Sequence, residues 1–153
     1  MASPDHIHSG FNRSVLATLL IGVGVMAAVD EIVFHQLLAW HHFFDRSTLA
    51  IGLLSDGLLH SAELLMLVAG FFMLARLRGD GLFDRAAGWA GFFIGAGAFQ
   101  LFDGIVNHKV LRLHQVRYVE NLLLYDVFWN LAGLVLTGIG LWLLRRARRR
   151  PAV

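Results

Sequence analysis

Asp30, His35 and His41 recur 73 positions later as Asp103, His108 and His114, and no gap is needed to align the stretches around them, residues 21–42 and 94–115. Leu and Gly repeat cheaply in so apolar a chain. An Asp, a His five residues on and a second His six further do not. Carboxylate and imidazole together are ligands for a divalent transition metal, and a carboxylate buried in hydrocarbon is costly unless it is paired, hydrated or bound to a cation. The residue types therefore point to metal binding. The candidate ligands are Asp30, His35, Asp56, His60, Asp103, His108 and Asp126, with Glu31 and Glu63 as candidate catalytic proton acceptors beside a metal-bound water. His41 and His114 are expected at the membrane interface, with metal ligation as the alternative.

The elements that must position these groups are helices. Of the 153 residues 57% are hydrophobic, and the mean hydropathy of +0.62 lies above the ordinary soluble range. Four windows, about 14–38, 49–75, 87–110 and 122–144, are near the ~20 residues that a bilayer crossing requires. Asp56, His60 and Glu63 stand at i, i+4 and i+7 in the second, a single stripe on one face. At an offset of 70 that window falls on the fourth, with Asp56 on Asp126 and His60 on Asn130. The predicted fold is an all-α integral membrane protein with four transmembrane helices. They form a tandem repeat of two helical hairpins, about 13–76 and 86–145, related by a pseudo-two-fold axis along the membrane normal. The domain runs over 13–144, between a short polar, disordered tail at 1–12 carrying His6 and His8 and a basic cytoplasmic tail at 145–153.

Spacing raises one geometric difficulty. In an ideal α-helix residues i and i+5 point about 140° apart. Asp30 with His35, and Asp103 with His108, can converge only if the helix ends there or widens into a π-bulge, a feature that gathers at functional sites.

Lys and Arg set the expected orientation. Arg13, Arg76, Arg78, Arg85 and the tail arginines lie on one side, against Arg46, Lys109, Arg112 and Arg117 on the other. Both termini are thus expected in the cytoplasm, in the inner membrane of a bacterium. Counting at 1.5 Å per residue places Asp30, His60, Asp103 and Asn130 at one depth, roughly 22–27 Å from the cytoplasmic boundary. No Lys or Arg is expected within that layer to pair the carboxylates, which leaves His35, His60, His108, water, protons or a metal ion, the metal being the most economical; the alternative is protonated carboxyls and neutral histidines that bond helix to helix. Access is expected from the outer face, between loops 41–48 and 109–121.

The chain has no Cys, and its four Met stand mostly away from the polar layer, which disfavours a soft Cu(I) site. Imidazole with carboxylate suits Zn or Fe ahead of Cu. The expected function is a metal-dependent membrane enzyme, an oxidoreductase or hydrolase. Haem held by His35 and His108 for electron transfer is an alternative, disfavoured by the nearby Asp30 and Asp103. The basic tail reads as an orientation signal, so no nucleic-acid partner is expected. A lipid bilayer is, and a second copy of the chain is compatible with the pattern.

The blocks DEIVFHQLLAWHH, SDGLLH, LFDGIVNHKVLRLHQ and YDVFWN resemble a family of small predicted four-helix prokaryotic membrane proteins classed as a domain of unknown function, over about residues 12–145. The resemblance brings no catalytic residues. What it implies, through an association with cytochrome oxidase assembly factors, is a second alternative: copper handling or assembly of a respiratory oxidase, with a respiratory-complex or metal-delivery partner.

Overall fold

The computed structural model describes residues 4–149, with side chains from Ser9 onward. The described chain is wholly helical apart from turns and loops. Helix α1 spans Pro4–Val29, α2 Leu49–Gly79, α3 Arg85–Phe102 and α4 Leu122–Arg148. All four are long and apolar enough to cross a membrane. Helix α1 begins ten residues before the expected Ser14, so much of the segment read as a polar tail is helical. The side chains of His6 and His8, and residues 150–153 of the basic tail, lie outside the described residues.

The expected widening is present twice. Helix α1 continues without a break into a π-helix over Asp30–Leu37, and α3 into one over Asp103–Val110. Both segments begin on the repeated Asp. Bonds of the i→i+5 type bring residues five apart onto one face, so the turn removes the angular mismatch that an α-helix would impose. Each segment ends alike, at Ala39 with φ 47° and at Arg112 with φ 51°. Both are the left-handed backbone that commonly closes a helix.

Packing follows the small residues. Helices α1 and α3 form the central pair: a Cβ added to Gly22 would run into the Phe92 carbonyl, and one on Gly95 into the Leu19 carbonyl. Such close approach is how helices associate in lipid, where Leu gains little from leaving the acyl chains. Helix α2 packs on α1 and α4 on α3, while among the described residues the backbone of α2 approaches neither α3 nor α4, and that of α4 does not approach α1. The result is a row, α2–α1–α3–α4, rather than a closed bundle. The outer helices expose large apolar side chains, among them Leu58, Phe72 and Phe128, at 65%, 73% and 71%. That surface suits lipid.

Loops 38–48 and 111–121 follow the π segments and are bound to each other. The Asp45 amide donates to the Leu113 carbonyl at 3.1 Å, so the two loops lie across the ends of the central helices.

Candidate metal centre

The two π segments and the two loops bring six side chains together: Asp30, His35, His41, Asp103, His108 and His114. None is more than 4% exposed. Asp30 and Asp103 sit at the start of their π segments, and each stays beside its own histidine. Asp103 Oδ2 is 3.0 Å from His108 Nε2, and Asp30 Oδ2 is 3.8 Å from His35 Nε2. His41 and His114 stack face to face with ring centroids 4.4 Å apart. His35 stands edge-on to His41 at 4.5 Å, and His108 edge-on to His114 at 4.6 Å.

Hydrogen bonds decide which ring nitrogens are free. His41 Nδ1 lies 3.0 Å from the Val116 carbonyl and His114 Nδ1 2.8 Å from the Phe43 carbonyl. A carbonyl can only accept, so in the neutral ring Nδ1 carries the proton and Nε2 keeps its lone pair. The Nδ1 of His35 is hydrogen-bonded to Asp56 Oδ1 at 3.1 Å, which fixes the same tautomer. In all three rings Nε2 is buried and makes no well-aligned hydrogen bond, and the same holds for both nitrogens of His108, both carboxyl oxygens of Asp30 and Oδ2 of Asp103, whose nearest polar neighbours are one another. Native interiors rarely leave so many polar atoms unmatched in one place. One nitrogen from each of His35, His41 and His114 lies within 4.8 Å of the other two, and Asp103, His108 and His114 form a second such trio. Histidines that ligate metals commonly donate the other N–H to a carboxylate or carbonyl, and that is the arrangement here.

His41 and His114 thus belong to the centre, although their place after the spans suggested the membrane interface. The signal in the sequence was their repetition at the same offset as the Asp/His pairs. What turned them inward was the crossing of the loops. Burial first, then the neighbouring His114 and His35 rings, lowers the pKa of His41 from 6.5 to about 2. An unfolded chain takes up that proton near pH 6.5. The metal-free fold should therefore keep its stability above that value and lose it as the pH falls further, by at most about 1.4 kcal/mol per pH unit from this group. Thermal melts of stripped protein from neutral to acid pH check this; a His41→Gln variant should decline less steeply.

The other predicted ligands divide. Asp56 lies against the centre as the group that holds it: it accepts from the Phe43 amide at 2.7 Å and from His42 Nδ1 at 2.6 Å as well as facing His35. Glu31 is 2% exposed, and its Oε1 accepts from Gln36 at 2.9 Å. Glu63 is 2% exposed and pairs with His60 at 2.5 Å, whereas the His60 side chain is 47% exposed on the outside of α2. His60 is therefore apart from the six. So is Asp126, whose Oδ2 is 2.6 Å from Lys109 Nζ. Lys109 was not expected to pair with a carboxylate of this layer, but it reaches α4 from the second π segment.

The halves differ where Glu31 is matched by Gly104 and Glu63 by Gly133. A Cβ on Gly104 would meet Trp129 and Asn130, and the Trp129 ring lies 5.9 Å from that of His108. Aromatic packing in the second half occupies the place that carboxylates take in the first. Bonds at His41, His114 and Asp45 tie together the two loops between which entry was expected. An apolar groove of about 650 Å³ opens at the side, between α1 and α4, and its lining includes Phe34, Trp40, Val116 and Trp129.

Four apolar spans around a buried cluster of Asp and His define a membrane protein whose core could hold a metal ion. The chain belongs to a family of predicted membrane proteins, DUF2243, whose model matches residues 17–147. No curated protein and no solved structure matches the chain.

Proposed function

We propose that this protein is an integral membrane metalloprotein that holds a transition metal between Asp30, His35, His41, Asp103, His108 and His114. The observation that carries the reading is the set of buried Nε2 atoms on His35, His41 and His114 that make no well-aligned hydrogen bond, each ring fixed by a hydrogen bond on its other nitrogen. Nitrogen-rich coordination with two carboxylates suits Zn or Fe, with Cu(II) next. The pairing of Asp30 with Asp103, His35 with His108 and His41 with His114 supports a pseudo-two-fold axis through the centre. So do the crossed bonds, in which each loop histidine donates to the other loop's carbonyl at positions that also correspond by 73.

A retained metal, as in an enzyme or electron-transfer site, fits better than an ion in transit, because every ligand is buried beneath laced loops. Copper delivery to a respiratory partner is the weaker reading for that reason. Haem is weaker still: His41 and His114 fill the middle of the cluster, and no histidine lines the apolar groove. The basic 76–85 turn and the arginines ending α4 support cytoplasmic termini in a bacterial inner membrane, with the centre toward the outer face.

Elemental mass spectrometry of protein purified in detergent tests the reading. Near-stoichiometric Zn, Fe or Cu is expected, retained for hours against a chelator. Protein that stays free of every transition metal after incubation with each of the three would rule it out.

A further inference from the structure

The six-residue centre does not account for all of the buried charge. Asp30, Glu31, Asp56, Glu63 and Asp103 are each 2% exposed or less. The described Lys and Arg side chains offer them no ion pair; their partners are histidines. Lys109 is engaged with Asp126. Five carboxylates outnumber the charge of one divalent ion in the centre, and negative charge left without a proton or a cation is expensive in the low-dielectric core.

The excess lies on one side. Asp30 and Asp103 flank the centre, whereas Glu31 is buried on the first π segment and Asp56 and Glu63 are buried on α2. Glu31, His35 and Asp56 each offer one ligand atom within 4.8 Å of the others. Glu63 stands seven residues after Asp56 on the same face of α2, and its Oε2 is buried with no hydrogen bond, although its Oε1 is held by His60. Glu31 Oε2, near His35, likewise makes no well-aligned hydrogen bond. An unpartnered carboxylate oxygen this deeply buried, facing a second carboxylate, is the arrangement that a cation completes.

We propose a second cation site, restricted to the first half of the chain, in which carboxylate oxygens of Glu31, Glu63 and Asp56 hold a hard divalent ion of the Mn(II) or Fe(II) kind. It rests on the reading of the six-residue centre, which it makes one part of a two-ion assembly: a nitrogen-rich site on the pseudo-two-fold and an oxygen-rich site beside it. His35 joins them, its Nε2 toward the first and its Nδ1 toward the carboxylates of the second. Carboxylate-dominated coordination favours Mn(II) over the softer ions that imidazole attracts. The second half keeps no equivalent site, because Gly104 and Gly133 stand where Glu31 and Glu63 do.

The test loads the full-length protein with Mn(II) alone, removes free ion by desalting, and counts Mn by elemental analysis and electron paramagnetic resonance. Wild type should hold two equivalents. The isosteric double variant Glu31→Gln, Glu63→Gln should hold one, while His41→Ala with His114→Ala should lose the other and keep the oxygen-rich site. Melting curves confirm that the variants are folded, and the single Glu63→Gln variant serves if the double variant is not. A single wild-type equivalent, unchanged by the glutamine substitutions and lost with the histidines, overturns the second site and leaves the centre standing. Wild type that binds no Mn(II) but one equivalent of Zn(II), insensitive to Glu63→Gln, does the same. Protein that binds neither ion overturns both readings.

Discussion

Asp103→Ala protein should leave purification with roughly a tenth or less of the metal that the wild type carries, since even residues that only orient a metal ligand cost 10–100-fold in affinity when removed. Asp103 is closer to the centre than that. Its carboxylate lies 3.0 Å from His108 Nε2 and 3.5 Å from His114 Nε2, and Asn107 Nδ2 donates to it at 2.9 Å. Truncation removes a carboxylate from the proposed site and leaves Asn107 without its acceptor. Asp126→Asn is the control, because Asp126 is bound to Lys109 and lies apart from the six residues. Its metal content should match wild type, with at most a small loss of stability from an ion pair whose Lys109 side chain is 41% exposed. Comparing the two variants by elemental analysis separates ligation from the general effect of deleting a carboxylate. Equal metal in Asp103→Ala and wild type would remove Asp103 from the site.

Gly95→Leu should prevent the protein from reaching its native state. The new Cβ would meet the Leu19 backbone, which cannot rotate aside as a side chain can, and the central pair would be forced apart. Overpacking a close contact costs about 1–3 kcal/mol and occasionally more, out of a typical total of about 5–15 kcal/mol. Here the contact also sets the spacing of the two π segments, so residual folded protein should bind metal poorly. Gly22→Leu, which meets the Phe92 carbonyl, should behave alike. Gly138→Ala should not: nothing lies within 4 Å of a Cβ there, and alanine is favoured over glycine in a helix by about 1 kcal/mol. Size-exclusion profiles and melting temperatures in detergent give the ranking. If Gly95→Leu melts with wild type, α1 and α3 do not pack as described.

Much of this molecule is legible in the residues alone, for reasons of period and cost. The four spans follow from long, predominantly apolar runs, because the bilayer demands them whatever the tertiary arrangement. Asp30, His35, Asp103 and His108 stood out because polar residues so expensive in hydrocarbon do not recur together by accident. Their five-residue spacing even anticipated the π turns, since an α-helix would point each Asp away from its His. Tertiary structure alone decided the remainder. The chain shows no sign that the four helices stand in a row; that depends on α1 and α3 each presenting small residues to two neighbours. Local sequence places His41 and His114 beyond the spans, and they enter the centre only because the central helices bring two loops within hydrogen-bonding distance of each other. Asp126 and His60 occupy corresponding helices in the polar layer, yet neither joins the six. One meets Lys109, swung toward α4 by the second π segment, and the other lies on the outward side of α2. Periodicity states which residues must be buried and at what depth, but which of them face one another is set by contacts between segments far apart in the chain.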